Sequence, residues 1–122
     1  DAVLLDAPRC DPLYRKSIRV SSGTALSLPF AHSGDGAAIL SALQAANIEC
    51  WALTPSNGEP LQNIAPPPRL SIVLGAEGPG LPSALMNRCR RVSIPMSPGI
   101  DSLNVATAGA IALAYVFSRR KD

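Results

Sequence analysis

Short apolar runs alternate with helical repeats along the whole chain. Ala2–Leu5 is an unbroken apolar run, the pattern of a parallel strand buried on both faces. Pro12 to about Ser21 predicts a short basic helix, with Asp11 as N-cap, Pro12 in the first helical position and Gly23 as its stop. Ala25–Leu28 predicts a second strand closed by Pro29. Ser33-Gly34-Asp35 opens a helix whose Ile39, Ala42, Leu43 and Ala46 share one face, with Asn47 at its C-terminal end. Ile48 to Leu53 predicts the next strand, and Thr54–Gly58 a turn.

Pro60 to Pro68 reads as a loop, because Pro66, Pro67 and Pro68 suit neither a helix nor a central strand. Ser71–Leu74 is a further buried strand. Pro82 begins a short helix to about Arg88, and Val92–Ile94 is another strand. Ser102 to Arg120 predicts a long helix, capped by Asp101 or Ser102 and apolar on nearly all sides from Val105 to Phe117. Such a helix is buried in its own domain or against a partner. Alternating strands and helices predict an α/β fold with a mostly parallel sheet flanked by helices. A length of 122 residues suits one domain, 1–122.

Composition refines this picture. Aromatic residues make up only 4% of the chain, so the core is expected to be aliphatic. No run reaches the roughly 20 apolar residues of a membrane span, and no signal peptide opens the sequence, so no membrane role is expected. Cys10, Cys50 and Cys89 are far apart in sequence, and His32 is near none of them. No metal site is expected, and the odd count suits free thiols in a reducing, cytoplasmic setting. Net charge is only +2, but cations cluster at Arg15, Lys16 and Arg19, at Arg88, Arg90 and Arg91, and at Arg119–Lys121. Local patches of this kind suit phosphate contacts, and they equally suit solvated helix ends.

Two segments carry candidate chemistry. The first is Leu74-Gly75-Ala76-Glu77-Gly78-Pro79-Gly80-Leu81, a glycine loop between a strand and a helix. Ligands of α/β sheets sit at such carboxyl ends of strands. Its spacing is neither a dinucleotide-binding GxGxxG nor a P-loop, and Glu77 opposes phosphate. The second runs from Ile94-Pro95-Met96 through Asp101-Ser102-Leu103-Asn104-Val105 into the long helix. Apolar side chains beside helix-end backbone groups suit an adenine ring. Ser102 by itself reads equally well as an N-cap.

These segments match the patterns LGxEGxGL and IPM…DSLNVA, and Cys10–Lys16 with Ile18–Ser21 resembles CDPLxRKxIRxS. Three such motifs in this order resemble the SpoU/TrmH RNA ribose methyltransferases of the SPOUT superfamily. The resemblance implies a C-terminal trefoil knot, a homodimer, and S-adenosyl-L-methionine bound in the knot. It implies cofactor contacts at Gly75, Ile94 and Leu103, with Thr54 and Met96 lining the same pocket. It places Glu77, Ser102 and Asn104 at the active site. Arg15, Lys16 and Arg19 then become candidate RNA-backbone contacts.

The implied reaction is attack of an RNA 2′-hydroxyl, in tRNA or rRNA, on the cofactor's sulfonium methyl group. It needs in-line geometry at about 3 Å and removal of the hydroxyl proton. The family's arginine motif, NxGxxxR, would precede the strand on which this chain opens. The sequence is therefore expected to be an N-terminally shortened piece that binds cofactor and transfers methyl groups poorly alone. Two other readings stay open at this point. One is a non-catalytic RNA-binding module that keeps the pocket. The other is an ordinary doubly wound nucleotide-binding enzyme.

Overall fold

A computed structural model of the chain describes residues 1–6, 11–76, 78–100 and 103–120. They form two compact units, Asp1–Ala42 and Leu43–Asp122.

In the first unit, β1 (Val3–Leu5) pairs in parallel with β2 (Phe30–His32), Leu4 opposite Ala31. Val3 and Leu4 are 37% and 44% exposed, so the apolar run makes the expected strand without the expected burial on both faces. Helix α1 (Arg15–Val20) starts later than the sequence pattern suggests, with Tyr14 in the N-cap position. Asp11 spends its carboxylate one step upstream, where Oδ1 accepts the Leu13 N–H at 2.9 Å. Gly23, at φ +81°, stops the helix by donating its N–H to the Ile18 carbonyl.

The strand expected at Ala25–Leu28 is instead a 3₁₀ turn, Thr24–Leu26, and the extended segment follows Pro29. Local polar groups outcompete the strand here. Ser21 Oγ accepts the Ala25 N–H, and the Thr24 carbonyl accepts from both Ser27 and Leu28. Helix α2 (Gly36–Ala45) is capped by Asp35, whose Oδ1 accepts the Ala38 N–H at 2.8 Å.

The second unit holds the larger sheet. Asn47 ends α2 at φ +57°, and the following Ile48 N–H bonds back to the Leu43 carbonyl. The sheet contains β3 (Glu49–Leu53), β4 (Glu59–Pro60), β5 (Leu70–Val73) and β6 (Arg90–Ser93) in the order β4-β6-β3-β5, all parallel. Within the segment expected to be a loop, Pro60 completes the short edge strand β4 and Leu61–Asn63 forms a 3₁₀ turn. An edge strand tolerates Pro60 because it needs no inner N–H donor there.

The core gathers Trp51, Leu61, Ile64, Val92, Ala112 and Val116. Its largest member is the chain's one tryptophan, not an aliphatic residue. Trp51 is fully buried and donates Nε1–H to Glu49 Oε1 at 2.7 Å. Helix α4 (Val105–Arg119) buries Gly109, Ala112 and Val116 at helical spacing. Its other side leaves Leu113 and Phe117 59% and 84% exposed, so the helix is buried within this chain on one face only. Tyr115 fixes the helix to the loop before β5 by donating its hydroxyl to the Ile64 carbonyl at 2.7 Å.

Candidate functional site

The carboxyl ends of β3, β5 and β6 open into one cavity of about 610 Å³, inside the range of small-molecule sites. Strand β3 contributes Leu53 and then Thr54 and Pro55. The chain leaving β5 contributes the glycine loop, and the chain leaving β6 contributes Ile94 and Met96. Leu103, Asn104, Val105 and Ala108 close it from the start of α4, and Met86 enters from α3 (Ser83–Met86).

The glycine loop owes its shape to a backbone contact across its neck. The Gly80 N–H donates to the Ala76 carbonyl at 2.9 Å, and the two residues form an isolated bridge. A Cβ on Gly75 would stand 2.4 Å from both the Gly80 carbonyl carbon and the Leu81 nitrogen. Only glycine lets these segments pass so closely.

Thr54 is 8% exposed and donates its hydroxyl to the Ser56 carbonyl at 2.8 Å. Asn104 is the N-cap of α4: its Oδ1 accepts the N–H groups of Ala106 at 2.9 Å and Thr107 at 3.4 Å. The sequence pattern puts that cap at Asp101 or Ser102. The helix begins at Val105, so the preceding residue holds the position from which a side chain reaches the first free N–H groups.

No described lining residue carries a charged side chain. Thr54 and Asn104 are the only lining residues with polar side chains among those described, and both use them on nearby backbone groups. Polar edges of a ligand would therefore meet mainly backbone, and its faces would meet Leu53, Leu74, Ile94, Met96 and Leu103. Leu74 is 43% exposed at this wall, an apolar surface that a flat ring would cover. Such a lining suits S-adenosylmethionine, which has an adenine ring and no phosphate. Among the described residues it holds no cationic side chain to pair with the pyrophosphate of a dinucleotide.

Thr54, Gly75, Ile94, Met96, Leu103 and Asn104 thus come together around one cavity. Glu77 and Ser102 lie outside the described residues. Leu53, Met86 and Ala108 also line it, and the sequence pattern does not single them out, while Val105 belongs to the second candidate segment. Leu53 could have been found from its place at a strand's carboxyl end, and Ala108 from helical spacing beyond Asn104. Nothing in the sequence distinguishes Met86.

The candidate RNA residues Arg15, Lys16 and Arg19 all lie exposed on α1, in the first unit. The cations of the middle cluster are engaged within the second unit. Arg90 pairs with Glu59 at 3.0 Å and Glu49 at 3.4 Å, Arg91 donates to Asn87, and Arg88 donates to Gln44. The hydrogen bond from Arg90 holds the Glu59 carboxyl below its ordinary range. At the end of α4, Arg119 stacks over the Tyr115 ring at 5.3 Å. Among the described residues, no three His, Cys, Asp or Glu side chains cluster as a metal site would need. No helix there is long and apolar enough to cross a membrane.

Residues 1–114 match the model of the SpoU rRNA Methylase family. The chain belongs to that family. An uncharacterized tRNA/rRNA methyltransferase of Mycobacterium tuberculosis is 42% identical over 92% of this chain and 41% of its own length. A 23S rRNA (guanosine-2′-O-)-methyltransferase of Salmonella typhimurium is 31% identical over 98% of this chain and 49% of its own length. The chain thus spans less than half of either relative. The SpoU methyltransferase AviRb of Streptomyces viridochromogenes, solved in complex with the cofactor AdoMet, matches with a TM-score of 0.82 and 26% identity. That match covers 97% of this chain and 47% of AviRb. A TrmH-family structure from Porphyromonas gingivalis matches with a TM-score of 0.80 and 25% identity, over 94% and 48% of the two chains.

Proposed function

We propose that this chain is the cofactor-binding domain of an S-adenosylmethionine-dependent RNA methyltransferase acting on a ribose 2′-hydroxyl of tRNA or rRNA. The observation that carries the reading is the cavity where β3, β5 and β6 end, whose described lining residues bear no charge, walled by the glycine loop and the segment entering α4. Family membership supplies the reaction class, and the names of the relatives supply the RNA.

S-adenosylmethionine supplies a methyl group on a sulfonium. The chain's part is to hold and orient it. Leu74, Ile94 and Leu103 would hold the adenine by its faces, with the Gly75 backbone drawn in close enough to meet it. Thr54, Met96 and the apolar start of α4 would line the remainder and keep water out. Asn104 would act by fixing the helix start beneath the ligand. Glu77 and Ser102 would stand at the reacting end, as the family pattern implies.

Three finer features belong to the same reading. The segments around the cavity would form the C-terminal trefoil knot of the superfamily. The exposed apolar side of α4, with Leu113 and Phe117, would meet a second copy of the chain in a homodimer. Arg15, Lys16 and Arg19 would contact RNA phosphates and position the substrate without reading its sequence.

Titration calorimetry with S-adenosylhomocysteine and with NAD tests the central claim. Heat from the first and none from the second is expected. Binding of NAD alone would replace this reading with the ordinary nucleotide-binding one.

A further inference from the structure

Two of the three cysteines, far apart in sequence, lie on neighbouring chain segments at the end of the large sheet away from the cavity. Strands β3 and β6 run in parallel with Trp51 opposite Arg90 and Ala52 opposite Arg91. Cys50 precedes Trp51 on β3 and Cys89 immediately precedes β6, so the two stand one step beyond the last paired residues of these strands. Neighbouring strands lie about 4.8 Å apart, within the roughly 4.4–6.8 Å between Cα atoms that a disulfide spans. The Cys89 thiol also acts electrostatically on Cys50, as a near neighbour does.

The surroundings differ for the two sulfurs. Cys50 is 4% exposed and its thiol donates to the Ile48 carbonyl at 3.7 Å. Cys89 is half-buried, in the bend between α3 and β6. Gln44 and Arg88 pin that bend through two bonds: Gln44 Nε2 donates to the Arg88 carbonyl at 2.8 Å, and Arg88 donates to Gln44 Oε1 at 3.2 Å. Cys89 is the less sheltered of the two thiols, so an external disulfide reaches it first and Cys50 is left to resolve the mixed disulfide.

We infer that Cys50 and Cys89 are a reversible disulfide site joining β3 to β6, oxidised by small-molecule disulfides. The Cys89 thiolate attacks one sulfur of the external disulfide, whose S–S bond breaks and releases a thiolate. The Cys50 thiolate then attacks the Cys89 sulfur of the mixed disulfide and displaces the second small thiolate. Two protein thiols are oxidised, one external disulfide is reduced to two thiols, and the two protein protons pass to the leaving groups. The site stands independently of the function proposed above.

The chain carrying Cys10→Ser tests this, since only Cys50 and Cys89 then remain. The folded, reduced protein is incubated with oxidised glutathione at mildly alkaline pH, denatured in acid, and examined by intact mass and free-thiol titration. The expected product has lost two hydrogen atoms in mass and both free thiols, and dithiothreitol restores them. Adding Cys89→Ala should leave Cys50 reduced. Adding Cys50→Ala should leave Cys89 as a stable glutathione adduct. Both thiols remaining free, or a lasting glutathione adduct in the two-cysteine chain, would overturn the inference.

Discussion

Gly75 and Gly80 pass so closely that a Cβ on Gly75 would lie 2.4 Å from the Gly80 carbonyl carbon. The bridge between Ala76 and Gly80 closes the same loop. Gly75→Ala must therefore push two backbone segments apart, and neither is a flexible side-chain end. A cost of about 1–3 kcal/mol in stability is expected from such overpacking. Affinity for S-adenosylhomocysteine should fall at least about tenfold, because the displaced loop is a cavity wall. Gly99→Ala is the control. Gly99 sits at φ +87° with open space around it, so strain of about 1–2 kcal/mol is expected there with affinity kept. Equal affinities for the two variants would show that the loop neck does not shape the site.

Asn104 caps α4 while it lines the cavity, and the two roles separate by substitution. Asn104→Ala should cost about 1 kcal/mol in urea unfolding, the usual loss of an N-cap. Asn104→Asp keeps an acceptor oxygen for the Ala106 N–H and should stay near wild-type stability. If Asn104 serves the site through the cap, cofactor affinity in Asp and Ala variants should track stability. An Asp variant with intact stability and no methyl transfer in the full-length enzyme would instead assign the amide a direct part in the reaction.

The alternation of apolar runs and helical spacing was enough for the parallel sheet and for α2 with its Asp35 and Asn47 ends, whereas both walls of the cavity were legible through the glycine loop, the segment entering α4 and the family resemblance they carry. It failed where short-range polar bonding decides. Ser21 and Thr24 turn the expected strand at Ala25–Leu28 into a 3₁₀ turn, and Asn104 takes the cap expected from residues just before it. Burial was misjudged for a different reason. Hydropathy marks Leu4 as part of a strand buried on both faces, but which face finds a partner depends on tertiary packing. Only the pairing of β3 with β6 brings the segments of Cys50 and Cys89 side by side across 39 positions of sequence.

The exposed side of α4 offers a test of assembly. Leu113 and Phe117 are one helical turn apart and both stand exposed on the same side of the helix. Light scattering should find the wild-type chain as a dimer. Leu113→Lys with Phe117→Lys should give a folded monomer, because both side chains leave the core untouched. A wild-type monomer at all concentrations would remove the homodimer from the proposal.

The cations of α1 predict a salt effect. Removing one cation that meets a phosphate should lower the slope of log affinity against log salt by about 0.7–0.9. Arg15→Ala, Lys16→Ala and Arg19→Ala should each do so, and should weaken binding to unrelated RNAs alike. Arg90→Ala should leave the slope unchanged, since its guanidinium is engaged by Glu49 and Glu59. An unaltered slope in all three α1 variants would make that face merely solvated.

The paired thiols also set an alkaline limit on stability. Burial pushes Cys50 above its ordinary 9.0, Cys89 beside it raises it further, Arg88 lowers it, and Glu49 raises it. Burial likewise raises Cys89, with Arg88 opposing. The folded chain therefore holds these protons to higher pH than the unfolded chain. Their favourable contribution is complete below the unfolded value, shrinks as pH rises through 9.0, and is gone above the folded values. Urea midpoints of the reduced protein should fall between about pH 8 and pH 10, and less so for Cys50→Ala with Cys89→Ala. The double variant is compared with wild type at each pH, so titration of other groups cancels. Parallel curves for the two proteins would show that the thiols ionise alike in the folded and unfolded chain.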